Sequence, residues 1–223
     1  MKKNYNAYKG KLSVSQIVHG MNIAEENAHR LVEDASILLN SGRYPTAFSL
    51  ALLALEELGK VILLRYLVII KKDSERVEIW KAYRSHTTKN AMWMMQLFAI
   101  VRRITDNSKP NFLDAFEYSL TFDQAKQLGF YSDYLGKSRW WNPLENCDDK
   151  FAKKIVCFAK LLIKNIKHTE KEIELFNKHI GPLWESKDNS NKQAIENWEN
   201  EMNEAGLSVR EVIGLGKCPD QKE

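Results

Sequence analysis

Apolar residues recur along this chain at intervals of three and four, the period of an amphipathic helix, so it reads as a succession of helices. The first twelve residues carry no such period and read as a loose arm. A first helix is expected from a cap at Ser13 or Ser15 to about residue 40, with Ile23, Leu31, Ala35 and Leu38 at helical spacing. Ser41-Gly42-Arg43-Tyr44-Pro45 ends it. Gly42 suits the left-handed position after a helix, and Pro45 the first turn of the next. A second helix is expected from residue 45 to about 70, and so short a connection makes the pair antiparallel neighbours.

A polar break at residues 71–74 precedes a third helix, expected to run from residue 74 to about 105. Asp106-Asn107-Ser108-Lys109-Pro110 reads as a loop. From there to residue 148 the pattern is mixed: short helical turns are expected, interrupted at Gly129, Gly136 and Pro143. A last long helix is expected from residue 148 to about 180, with Phe151, Ile155, Phe158, Leu162 and Ile166 on one stripe, broken by Gly181-Pro182. Residues 185–192 read as a polar linker and residues 195–204 as a peripheral helix. The expectation is an all-α bundle with additional C-terminal helices: an arm over 1–12, a helical domain over 13–184 and a peripheral segment over 185–223.

Composition narrows the class without naming a function. Ten glycines and five prolines in 223 residues favour long helices over short strands. A net charge of +4 permits a nucleic-acid partner but lacks the concentrated excess of a dedicated DNA-binding domain. The three cysteines, Cys147, Cys157 and Cys218, show no short ligand spacing, so reduced thiols in a cytoplasmic protein are expected. No apolar core follows the basic first residues, which therefore do not read as a signal peptide. The greasiest stretch, residues 48–70, carries Glu56, Glu57, Lys60 and Arg65, which argues for burial in protein and against a membrane span.

Candidate chemistry sits on the second and third helices. At ~100° per residue, Ser49, Glu56 and Lys60 fall within about 40° of one another on a helix otherwise apolar nearly all round. Such a stripe needs partners. The plain reading is an i,i+4 pair between Glu56 and Lys60, contributing ~0.3–0.5 kcal/mol, with Glu57 paired to Arg65 or to another helix. On the third helix His86 and Asn90 lie on the inward face with Lys89 at its border. His86 is either a satisfied core residue or, with these neighbours and the second helix opposite, a general acid or base. A cluster from Gly129 to Tyr134, then Arg139 to Pro143, sets aromatics beside charges; it either stacks bases or pins a loop to the bundle. His168 and His179 are expected in solvent. Metal and nucleotide-binding motifs are absent, and no metal or cofactor is expected.

Several segments, taken in order, resemble the AbiV family of HEPN-domain proteins. They are residues 42–47 (Gly-Arg-Tyr-Pro-Thr-Ala), 51–60 (Ala-Leu-Leu-Ala-Leu-Glu-Glu-Leu-Gly-Lys), 80–89 (Trp-Lys-Ala-Tyr-Arg-Ser-His-Thr-Thr-Lys) and 129–133 (Gly-Phe-Tyr-Ser-Asp). The likeness covers roughly residues 20 to 170. It implies a HEPN-like helical bundle that works as a homodimer, a role in abortive infection with a block of translation, and activation by a phage-encoded protein. It also implies a metal-independent ribonuclease acting on RNA, with His86 catalytic and Lys89, Glu57 and Lys60 as its partners. Lys81, Arg84, Asn90, Tyr131 and Asp133, in or beside the matching segments, are the candidate substrate contacts. One departure stands out. The usual HEPN ribonuclease motif has Arg, four to six intervening residues, then His, whereas here only Lys81 stands at that spacing from His86, and lysine lacks the bidentate fork. The alternative is a non-catalytic helical protein that acts by binding a protein partner.

Overall fold

The computed structural model describes residues 7–105, 112–136, 139–186 and 192–207. Among them are nine helices and one short hairpin, an all-α architecture. Helix α1 (Val14–Asn40) opens with a capping box: Ser13 Oγ accepts from the Gln16 amide and the Gln16 side chain accepts from the Ser13 amide. It closes as expected, with Gly42 at φ 72° and the Arg43 and Gly42 amides donating to the Leu38 and Leu39 carbonyls. Helix α2 (Tyr44–Tyr66) is the axis of the bundle. It packs on α1, on α4 (His86–Thr105), on α5 (Phe112–Phe130) and on α7 (Asp149–Leu162). Its alanines and leucines, including Ala47, Ala51, Leu52, Ala54 and Leu55, are fully buried.

Four expectations are corrected. The third helix is two, α3 (Asp73–Arg84) and α4, because Ser85 is extended (φ −82°, ψ 120°) and its hydroxyl accepts from the Thr88 amide as a cap. The mixed region contains one 19-residue helix, α5, followed by β1 (Asp133–Leu135) and β2 (Arg139–Trp141), paired antiparallel. The last long helix is also two, α7 and α8 (Glu170–Ser186), separated by a turn in which Asn165 has φ 53°. Gly181-Pro182 does not end α8, which carries Pro182 inside it. Short α6 (Pro143–Asn146) precedes α7, and α9 (Lys192–Glu204) packs on α8 through the Phe176–Trp198 ring contact. The expected loop at 106–110 lies outside the described residues.

Of the stripes read off the sequence, Ala35 is buried and Leu31, Leu38, Ile155, Phe158 and Leu162 pack partly buried against the core, but most of the deepest positions are others. On α7 it is Ala152, Val156 and Ala159 that reach the core, while Phe151 stays half-exposed and leans on Phe48. On α1, Ile23 is exposed and Ile17, Met21, Ala24, Ala28 and Val32 are buried.

His168 and His179 are not solvated. His179 is largely buried, with Nε2 3.3 Å from Glu201. His168 is buried in the turn before α8, where Nδ1 meets Glu172 at 2.9 Å and Nε2 lies 3.9 Å from Glu25. Arg65 reaches Glu172 at 2.5 Å, and Asn22 brackets the His168 backbone with two hydrogen bonds. This quartet of two carboxylates, an imidazole and a guanidinium ties α8 to α1 and α2. Burial disfavours the charged imidazole, yet Glu172 and Glu25 outweigh it and raise the His168 pKa. Burial likewise disfavours the Glu172 carboxylate, but Arg65 and His168 pull its pKa down to about 2.

Cys147 is a free, half-buried thiol. No helix among the described residues is long and apolar enough to cross a membrane.

Candidate functional site

The three polar residues of the α2 stripe turn in different directions. Ser49 Oγ donates to the Lys126 carbonyl at 2.8 Å. Lys60 turns to Glu57 at 2.6 Å, with its ammonium over the Tyr83 ring, so the expected Glu56–Lys60 and Glu57–Arg65 pairs are not formed. Glu56, 1% exposed, points instead into the space between α4 and α5.

Every oxygen of Glu56 is used. Oε2 lies 2.5 Å from His86 Nδ1 and 3.2 Å from Lys89 Nζ; Oε1 accepts from Lys126 Nζ at 2.6 Å and from Asn90 Nδ2 at 3.5 Å. Asn90 is oriented in turn by Trp93, whose indole donates to Asn90 Oδ1 at 2.9 Å. Lys126 also donates to Asp123 at 2.7 Å and sits 3.3 Å from His86 Nδ1. A buried carboxylate survives only when paired and hydrogen-bonded, which is the situation here. Burial alone pushes the Glu56 carboxyl up, but hydrogen bonds from Lys126 and His86 and the charges of Lys126 and Lys89 outweigh it, so its pKa is lowered. The two carboxylates, Glu56 and Asp123, are balanced by the ammoniums of Lys89 and Lys126.

Lys89 and Lys126 are buried, at 7% and 3% side-chain exposure, whereas the His86 side chain is 51% exposed. An ionised carboxylate only accepts, so the proton of the short contact belongs to Nδ1. That assignment leaves the Nε2 lone pair as the part of the ring offered to the outside.

Close backbone approach builds this geometry. A Cβ on Gly59 would stand 2.2 Å from the Lys89 carbonyl oxygen, so glycine lets α4 lie against α2 beside Glu56. A Cβ on Gly129 would stand 2.1 Å from Ser49 Oγ, so the end of α5 sits equally close to the start of α2. The extended Ser85 makes His86 the first residue of α4. Glu56, His86 and Asp123 could each offer a ligand atom within 4.8 Å of the others, but Lys126 already places a positive charge between the two carboxylates.

The family model described as AbiV matches residues 16–164, which takes in α1 from its third residue, α2, α4, α5 and all of these residues. The chain belongs to the AbiV family of HEPN-type abortive-infection proteins. No curated protein and no solved structure matches it.

Of the residues named from the AbiV resemblance, His86, Lys89 and Asn90 converge on Glu56, and Glu57 and Lys60 form a neighbouring pair. Others lie elsewhere. Lys81 is exposed and paired with Glu78 at 2.7 Å, on the far side of the Ser85 break from His86. Arg84 donates to the Trp80 carbonyl and to the Tyr8 carbonyl, and lies over the Trp80 ring, pinning the N-terminal segment. Tyr131, just before the hairpin, and Asp133, the first residue of β1, are exposed, and within the hairpin Tyr134 and Trp140 form an edge-on pair. Sequence reasoning missed Lys126 and Asp123; it set Glu56 on the helix facing His86 but paired it with Lys60 and left it out of the catalytic set. The available signal was the i,i+3 spacing of Asp123 and Lys126 in a segment whose other residues are mostly apolar, and it counts only once that segment is taken as a helix.

Proposed function

We propose that this AbiV-family chain is a toxin acting on RNA and thereby on translation, with His86 as general acid/base. The observation that carries the reading is the half-exposed His86 ring fixed through Nδ1 by a buried, ionised Glu56. Nε2 takes the proton of a ribose 2′-hydroxyl, whose oxygen attacks the adjacent phosphorus. The bond from phosphorus to the 5′ oxygen breaks, and the imidazolium returns the proton to that leaving oxygen. The products are a 2′,3′-cyclic phosphate and a 5′-hydroxyl. Glu56 stabilises the imidazolium midway. Lys60, 22% exposed, is more open to a phosphate than Lys89. Following the family resemblance, the working unit is a cytoplasmic, metal-independent homodimer activated by a phage-encoded protein.

The test is induced expression of wild type and His86→Ala, with and without phage infection, scoring growth and profiling total RNA and tRNA. RNA fragmentation and arrest in the wild type alone support the reading. Arrest by both proteins with intact RNA overturns it.

A second reading, an interaction protein acting by binding alone, is supported by the hairpin region. There Trp140 is 74% exposed, Leu144 71% and Tyr131 62%. Under that reading Trp140→Ser loses arrest, His86→Ala keeps it, and RNA stays whole in both.

A further inference from the structure

A lysine with 3% of its side chain exposed does not meet a substrate, yet Lys126 lies within 3.3 Å of three other members of the site: Glu56, Asp123 and His86. A bundle that needed only stability at this position would do as well with well-packed apolar residues, since a buried ion pair is poor evidence of stabilisation. Lys126 is also held by devices that do not involve its charge. Its carbonyl accepts from Ser49, and one turn later Gly129 brings α5 against the start of α2.

We infer that Lys126 is a positioning residue of the His86 site: clamped against α2 through Ser49 and Gly129, its ammonium keeps Glu56 the ionised acceptor that orients His86 Nδ1. The inference rests on the reading of His86 as the proton-transfer group. Its mechanism is a proton inventory. With Lys126 removed, Glu56 Oε1 keeps only the Asn90 amide at 3.5 Å, the outer limit of a hydrogen bond. Lys89 still reaches Oε2 at 3.2 Å, but with one of its two ammoniums gone the desolvated carboxyl shifts towards its protonated form. Protonated Glu56 donates to Nδ1, Nδ1 becomes the acceptor, and the ring proton moves to Nε2. The lone pair that would take the substrate proton is then gone. Asp123, 31% exposed, holds the ammonium from its other side at 2.7 Å.

The experiment compares full-length wild type, Lys126→Met and Lys126→Arg. Carboxyl 13C NMR follows Glu56, assigned with Glu56→Gln; ring 15N NMR follows the His86 tautomer; and kcat and KM are measured on total tRNA. Lys126→Met is expected to move the Glu56 titration upward and convert His86 from the Nδ1–H to the Nε2–H form. It should also lower kcat at least ~10-fold with KM changed less than ~3-fold. Lys126→Arg, which restores the charge, should stay near wild type in all three. An unchanged tautomer and Glu56 titration in Lys126→Met overturns the inference, as does an arginine variant no closer to wild type than the methionine one. If Lys126→Met does not fold, the wild type and Lys126→Arg still decide. An Nε2–H ring or a protonated Glu56 at neutral pH in either sinks the inference. Absence of cleavage by every protein, wild type included, defeats the ribonuclease reading while both NMR measurements continue to test Lys126.

Discussion

Replacing Gly59 by alanine adds one methyl group where α2 and α4 cross, and the structure sets its consequence. The new Cβ would lie 2.2 Å from the Lys89 carbonyl oxygen, with the Lys89 carbonyl carbon and Cα at 2.8 and 2.9 Å. Ordinary contact begins near 3.4 Å, so about 1.2 Å must be made up, and the obstacle is backbone that cannot rotate away. Overpacking of this kind costs about 3 kcal/mol at the upper end of its usual range. Removing a helix-interior glycine returns about 1 kcal/mol. The net loss is about 2 kcal/mol, or a Tm lowered by about 4–8 °C in a chain of this size. Gly20→Ala supplies the control. It is also mid-helix, but its Cβ would meet the flexible end of Leu64 at 3.3 Å, so the helix term dominates and Tm should rise by about 2–4 °C. Differential scanning calorimetry on both variants measures the contrast. If Gly59→Ala melts at or above the wild-type temperature, the close crossing of α2 and α4 is wrong, and with it the placement of His86 and Lys89 around Glu56.

Glu56→Gln leaves the Lys89 and Lys126 ammoniums buried without their shared counter-charge, and should cost about 3–5 kcal/mol in urea unfolding; a loss below about 1 kcal/mol would show that the cluster is wet. The quartet at His168 makes stability pH-dependent with a definite sign. The His168 pKa is raised above 6.5, so its contribution is complete below pH 6.5 and disappears as pH rises through the folded value. Glu172 is lowered from 4.5 to about 2, so its contribution is complete above pH 4.5 and disappears as pH falls towards 2. Chemical denaturation should therefore show this contribution greatest between pH 4.5 and 6.5, and His168→Asn should flatten the alkaline decline; an unchanged decline would exonerate the quartet. Ser49→Ala leaves the Lys126 carbonyl without its side-chain donor and should lower stability by about 1 kcal/mol, read as a shift in the urea midpoint at constant m.

What the chain's own pattern determined was everything local. Helices α1 and α2, with the turn between them, follow from apolar period, a serine cap, Gly42 and Pro45, because each acts on its immediate neighbours and needs no distant partner. The inward facing of Asn90, and the need of α2's polar stripe for partners, were legible for the same reason. Tertiary structure decided what those partners are. Glu56 has Lys60 four residues away on its own helix, yet it takes His86, Lys89 and Lys126, because helix packing brings two ammoniums and an imidazole to a carboxylate that is itself buried. There, unmatched charge is far costlier than a lost surface pair. Ser85 shows the same division: serine suits a helix cap, but the apolar period runs on through it, and the break before His86 is seen only in the folded chain. α5 escaped the periodicity reading because its apolar residues lie on more than one side, and Lys126 escaped with it. A lysine reads as a solvated residue in any one-dimensional pattern. Its burial here is set by an acid 70 positions earlier, which no local window contains.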